Sequence, residues 1–147
     1  MRRVKDTRTL DLFAVPTPVP ELPGTMDFRA QVAHLVSEML RAAPYDRYEV
    51  AARMSRLTGK DVSKNMLDAY ASDAREDHNP PFYLMPILEV VCESHAATQW
   101  LAEVRGGRLL IGREALHAEL GRLERQRDDA AKKIKQLKGL MGEDDHG

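Results

Sequence analysis

Apolar residues recur at helical spacing along most of the chain after residue 24. Phe28, Val32, Leu35, Val36 and Met39 fall on one face, behind Thr25 as a capping residue, and Pro44 closes the region. That pattern predicts a first helix starting near Thr25. Asp46 followed by Glu49 is a capping-box variant, so a second helix is predicted there, with Val50, Ala51, Met54 and Leu57 turned inward. Gly59 suits a left-handed helix stop. A third helix is predicted from about Ser63 to Ala71, burying Val62, Met66, Leu67 and Tyr70.

After a polar connection closed by Pro80 and Pro81, helical spacing resumes. Leu84, Ile87, Leu88 and Val91 make one stripe, and Trp100, Leu101 and Val104 another. Two short helices with a break near Ser94 fit this pattern, followed by a turn at Gly106 and Gly107. From Arg113 onward no proline interrupts the chain. Leu116, Leu120, Leu123, Arg127, Ala130, Ile134, Leu137 and Met141 are separated by alternating gaps of four and three. That is a heptad seam broken once by Arg127.

The predicted fold class is therefore all-α: a helical domain containing a helix-turn-helix, with a long C-terminal coiled-coil helix. The predicted organisation is a flexible basic, proline-rich arm over 1–24, the helical domain over 25–112, the coiled-coil helix over 113–141 and an acidic tail over 142–147. No internal repeat is evident.

Within the domain, "YEVAARMSRLTGKDVSKNMLDAYAS" has the apolar–polar order of a helix-turn-helix. Val50–Ala51 is the close-packing pair of the first helix, and Met54 follows a turn later. Ser63, Lys64, Asn65 and Asp68 face outward on the second helix, where short polar side chains reach base edges in the major groove. Asn65 is placed to read adenine, and Ser63 and Lys64 to contact base or phosphate. Arg53, Arg56 and Lys60 flank them as phosphate contacts. The turn "SRLTGKD" is longer than the tight turn of the commonest version. The plain alternative is a three-helix bundle with a solvated charged surface.

"RYEVAARMSRLTGKDVSKNMLDAYAS" followed by "HNPPFYLMPILEVVCESHAATQWLAEVRGGRLL" resembles small helix-turn-helix regulatory proteins of bacteriophages and Mu-like prophages. The resemblance spans roughly residues 45–115. It implies a DNA-binding regulator of phage or prophage functions with the second helix as reader, and it carries over to Ser63, Lys64 and Asn65.

A lone amphipathic helix of the final helix's length needs a cover for its seam. A second copy is the simplest cover, making a homodimer through Leu116, Leu120, Leu123, Ala130, Ile134 and Leu137. Ile134 at an a position with Leu137 at d tolerates a parallel pair. The flanking charges favour the opposite direction: a parallel register faces Glu119 with Glu124 and Lys133 with Lys138, whereas an antiparallel one faces Glu119 with Lys133. The alternative is that the helix folds back on its own domain.

The arm contains "TLDLF", which resembles the peptide motif by which bacterial proteins bind the replication sliding clamp. Leu10, Asp11, Leu12 and Phe13 match, and Thr9 replaces the usual glutamine. A tethered apolar triad of this kind docks into a partner's pocket, so Leu10, Leu12 and Phe13 are a candidate protein-binding handle. The alternative is that Leu12 and Phe13 pack on the protein itself or its dimer partner.

A formal net charge of −1 argues against a purely electrostatic DNA binder and permits a local basic face. The single cysteine, Cys92, excludes an internal disulfide and fits a reducing compartment. Cys92 and His95 are spaced to share a metal, but two ligands do not make a site. No catalytic set or phosphate loop is recognisable, so no enzymatic activity, cofactor or metal is expected. The charged start, "MRRVKDTRTL", is not a signal peptide, and no stretch is long enough to span a membrane. A cytoplasmic DNA-binding protein, with duplex DNA as partner, is the leading expectation. A non-enzymatic adaptor joining proteins through its coiled coil and arm is the alternative.

Overall fold

The computed structural model describes residues 15–75 and 77–145, with side chains described as far as Gly142. Its described residues are helical apart from turns and one isolated bridge, and none forms a named strand. The chain divides into two compact units, Met1–Leu109 and Leu110–Gly147.

Among the described residues, the first unit holds five helices: α1 (Arg29–Ala42), α2 (Arg47–Thr58), α3 (Lys64–Tyr70), α4 (Met85–Cys92) and α5 (Ala96–Val104). Short 3-10 turns at Asp73–Arg75 and Phe82–Leu84 link α3 to α4. Asp46 caps α2 by accepting the Glu49 backbone N–H at 2.9 Å, as the capping pattern predicts. The Glu49 carboxylate does not close the reciprocal half of the box; it takes the Arg53 guanidinium instead. Gly59 ends α2 at φ 68°, a conformation that costs glycine little. Glu93 ends α4 at φ 54° without being glycine, which sets the break between α4 and α5 where the sequence predicts it.

Thr25 does not cap α1, which starts four residues later at Arg29. Its hydroxyl is used within the preceding turn, against the carbonyls of Pro20 and Leu22 at 2.7 Å each. Phe28 then packs edge-on against Trp100 of α5, with ring centroids 5.5 Å apart.

The core forms where α1 and α2 close on α4, with α3 packed against α1 and α2. Val36, Met39 and Leu40 of α1 meet Val50, Ala51 and Met54 of α2, Leu67 of α3, and Leu88 and Val91 of α4, all buried. Burying such side chains contributes about 1.5–3 kcal/mol each, so this cluster is the main source of cohesion in the unit. Leu57, expected inward, is 56% exposed. The inward row of α2 runs through Ala51, Met54, Ser55 and Thr58 instead, and its last two members are polar.

Among the described residues before Thr25, Pro18 and Val19 lie against the end of α5. Pro18 bridges Arg105, and the Val19 N–H donates to the Val104 carbonyl at 3.0 Å. Gly106 makes room for this: a Cβ there would stand 2.7 Å from the Pro18 ring.

The second unit contains α6 (Arg113–Asp145), one helix of 33 residues that continues past Met141. Its Leu116, Leu120, Leu123, Ile134, Leu137 and Met141 are 49–71% exposed. Among the described residues, no helix is long and apolar enough to cross a membrane.

Candidate nucleic-acid interface

Everything the sequence assigns to DNA contact lies on α2, α3 and the corner between them. That corner spans five residues, and two half-buried hydroxyls hold it. Ser55 Oγ accepts the Val62 N–H at 2.9 Å and lies equally close to the carbonyls of Ala51 and Val62. Thr58 Oγ1 accepts the Lys60 N–H at 3.1 Å and reaches the Met54 carbonyl at 2.8 Å. Buried or half-buried backbone groups in a turn must find such partners. Val62 is thereby drawn into the core, 5% exposed, and Leu67 is fully buried behind it. The long corner is thus a fixed connection, and α3 stands off α2 with its outer side open.

Ser63 is the N-cap of α3: its hydroxyl accepts the Met66 N–H at 3.1 Å. A Ser63 hydroxyl oriented for capping keeps its proton available but not its full freedom. Asn65 is exposed, and its side chain makes no hydrogen bond among the described residues. Lys64 stands 2.7 Å from Asp68, one turn along α3, and 5.5 Å from the ring of Tyr48. Asp68 is held from its other side by Arg47, also at 2.7 Å.

These contacts shift the titration of both partners. The hydrogen bond to Asp68 raises the Lys64 ammonium above its ordinary value. The hydrogen bonds from Lys64 and Arg47 hold the Asp68 carboxyl below the usual range. Two cations on one carboxylate leave this patch with no net negative charge, although an acid lies on the outer side of α3.

Of the three flanking cations, Arg53 is engaged. It lies 3.9 Å over the Tyr45 ring and pairs with Glu49 at 2.9 Å. Arg56 and Lys60 are exposed, and neither side chain is paired among the described residues. The structure therefore brings Arg56, Lys60, Ser63, Lys64 and Asn65 to one helix, corner and helix start, and spends Arg53 locally. Two residues that the sequence pattern does not single out shape this patch: Tyr48 lies beside Lys64, and Arg47 holds Asp68. Lys64–Asp68 is legible as an i,i+4 pair, but Arg47 lies 21 residues from Asp68, and nothing in the local pattern announces that contact.

Cys92 and His95 do not come together as ligands: Cys92 is buried while His95 is exposed. Burial pushes the Cys92 thiol up to about 11, the behaviour of an unreactive core residue. Leu10, Leu12 and Phe13 lie outside the described residues.

No protein-family model matches this chain, and neither a curated protein nor a solved structure matches it.

Proposed function

We propose that this chain is a non-enzymatic, cytoplasmic DNA-binding protein of the phage or prophage regulator type. It reads duplex DNA with the α2–α3 pair and works as a homodimer joined through α6. The observation that carries the reading is the unpaired trio of Arg56, Lys60 and Asn65 beside the fixed corner. Two cations and an amide, unpaired among the described residues and carried on the end of α2, the corner and the start of α3, supply phosphate contacts and a base-reading group. The doubly held Asp68 supports it too, because its charge is offset before DNA arrives. The exposed seam of α6 supports the dimer.

Arg56→Glu combined with Lys60→Glu tests the proposal, since both side chains are exposed and unpaired and the fold should survive. Retardation of duplex DNA at low salt should be lost. Undiminished retardation by the folded double variant would refute the assignment.

The adaptor reading has its own support. Tyr48, Phe82, Tyr83 and Val90 are 67–78% exposed on the first unit, and aromatic side chains of this kind anchor protein contacts. An adaptor would show no salt-dependent DNA shift.

A further inference from the structure

The seam of α6 is symmetric in position. Leu120 and Leu137, Leu123 and Ile134, and Arg127 and Ala130 stand at equal distances from a midpoint between Asp128 and Asp129. All lie on one continuous helix, Arg113–Asp145, and all are exposed. We propose that α6 pairs with α6 of a second copy in antiparallel register about that midpoint, each Arg127 lying across the partner's Ala130. The inference rests on the dimer reading above and adds its direction and register.

The size and charge of the central pair carry it. In a parallel pair, equivalent a positions meet, so the two Arg127 side chains would share one seam layer. In the antiparallel register each layer joins an a residue to a d residue, and the longest seam side chain meets the shortest. The Arg127 stem then covers the Ala130 methyl while its guanidinium reaches water. Arg127 is free to do so: its ion-pair partner is the adjacent Asp128, at 3.4 Å, and its side chain is 72% exposed. The flanks agree. Antiparallel pairing about that midpoint sets Glu119 level with Lys138 and Glu124 level with Lys133 of the partner. Parallel pairing brings glutamate to glutamate and lysine to lysine, and the repulsion is felt over such distances on a helix surface.

The consequence is spatial. At 1.5 Å per residue, the two copies of Arg113 would enter the rod about 46 Å apart, at opposite ends. The points where the two chains enter the rod then lie at its opposite ends.

A nitroxide on Arg113→Cys in the full-length chain tests this by pulsed dipolar spectroscopy, with light scattering on the same sample. Cys92 is buried and should not label. The expected result is a dimer with a label separation of about 46 Å. A dimer with labels closer than about 25 Å is parallel and overturns this inference alone. A monomer overturns both this inference and the dimer reading, while DNA retardation still reports separately on the α2–α3 surface.

Discussion

Ser55 Oγ accepts the backbone N–H of Val62 across the corner between α2 and α3, at 2.9 Å. This one hydroxyl satisfies a backbone group that has no helical partner and fixes where α3 starts. Ser55→Ala removes it. Alanine is the better helix former by a few tenths of a kcal/mol, but a half-buried donor is left unpaired, at about 1–2 kcal/mol. The net expectation is a loss of about 1 kcal/mol in urea unfolding, accompanied by weaker DNA binding. Unchanged stability would mean that the corner does not depend on this contact.

Asp68 ties α3 to α2 through Arg47, and it pairs with Lys64 one turn back on α3. Its carboxyl titrates below the usual range in the folded chain, so its contribution is complete above the ordinary aspartate value. That contribution fades as pH falls through the lower folded value. The pair is one-third exposed, and the stake is about 1 kcal/mol. Asp68→Asn should therefore flatten the acid limb of a stability–pH curve and cost about 1 kcal/mol at pH 7, where that contribution is complete. It should also release Lys64 and strengthen DNA retardation several-fold at low salt. Weaker retardation by the folded variant would show that Asp68 contributes to reading rather than restraining it.

Gly106 combines φ 78° with a close approach to Pro18. Gly106→Ala faces about 1–2 kcal/mol of backbone strain and a clash that only displacement of Pro18 relieves. Limited proteolysis should then cut faster between residues 15 and 24, with a fall in Tm. An unchanged cleavage pattern would show that the Pro18 contact does not hold this segment.

Glu89 is a buried acid, 9% exposed, on α4. Its carboxylate accepts both the Thr98 N–H and the Thr98 hydroxyl of α5, at 3.1 and 2.6 Å. Glu89→Ala strands both donors and should cost about 2 kcal/mol or more in chemical denaturation. Thr98→Val, which removes only the hydroxyl, should cost less. Equal losses would place the contribution of Glu89 elsewhere.

What the sequence revealed follows the range of the interaction. Asp46 and Gly59 act within their own turns, and the seam of α6 is periodic within one helix, so local pattern was enough for them. At Thr25 and Leu57 the local pattern misleads: the Thr25 hydroxyl turns back to the carbonyls of Pro20 and Leu22, and Leu57 is exposed while Ser55 and Thr58 are half-buried. Arg47 on Asp68, Pro18 on Arg105 and Phe28 on Trp100 join residues far apart in sequence, and no local signal predicts them. Glu89 likewise carries no local signal of burial, which comes from its contact with Thr98 on α5.

The salt dependence of duplex binding tests the central claim most directly. Arg56, Lys60 and Lys64 offer two to three phosphate contacts per first unit. The logarithm of the association constant should then fall against the logarithm of salt with a slope of about −2 to −3 per unit. Arg56→Ala should reduce that slope by about 1. A folded protein that fails to retard duplex DNA at low salt, or binds it with no salt dependence, contradicts the account.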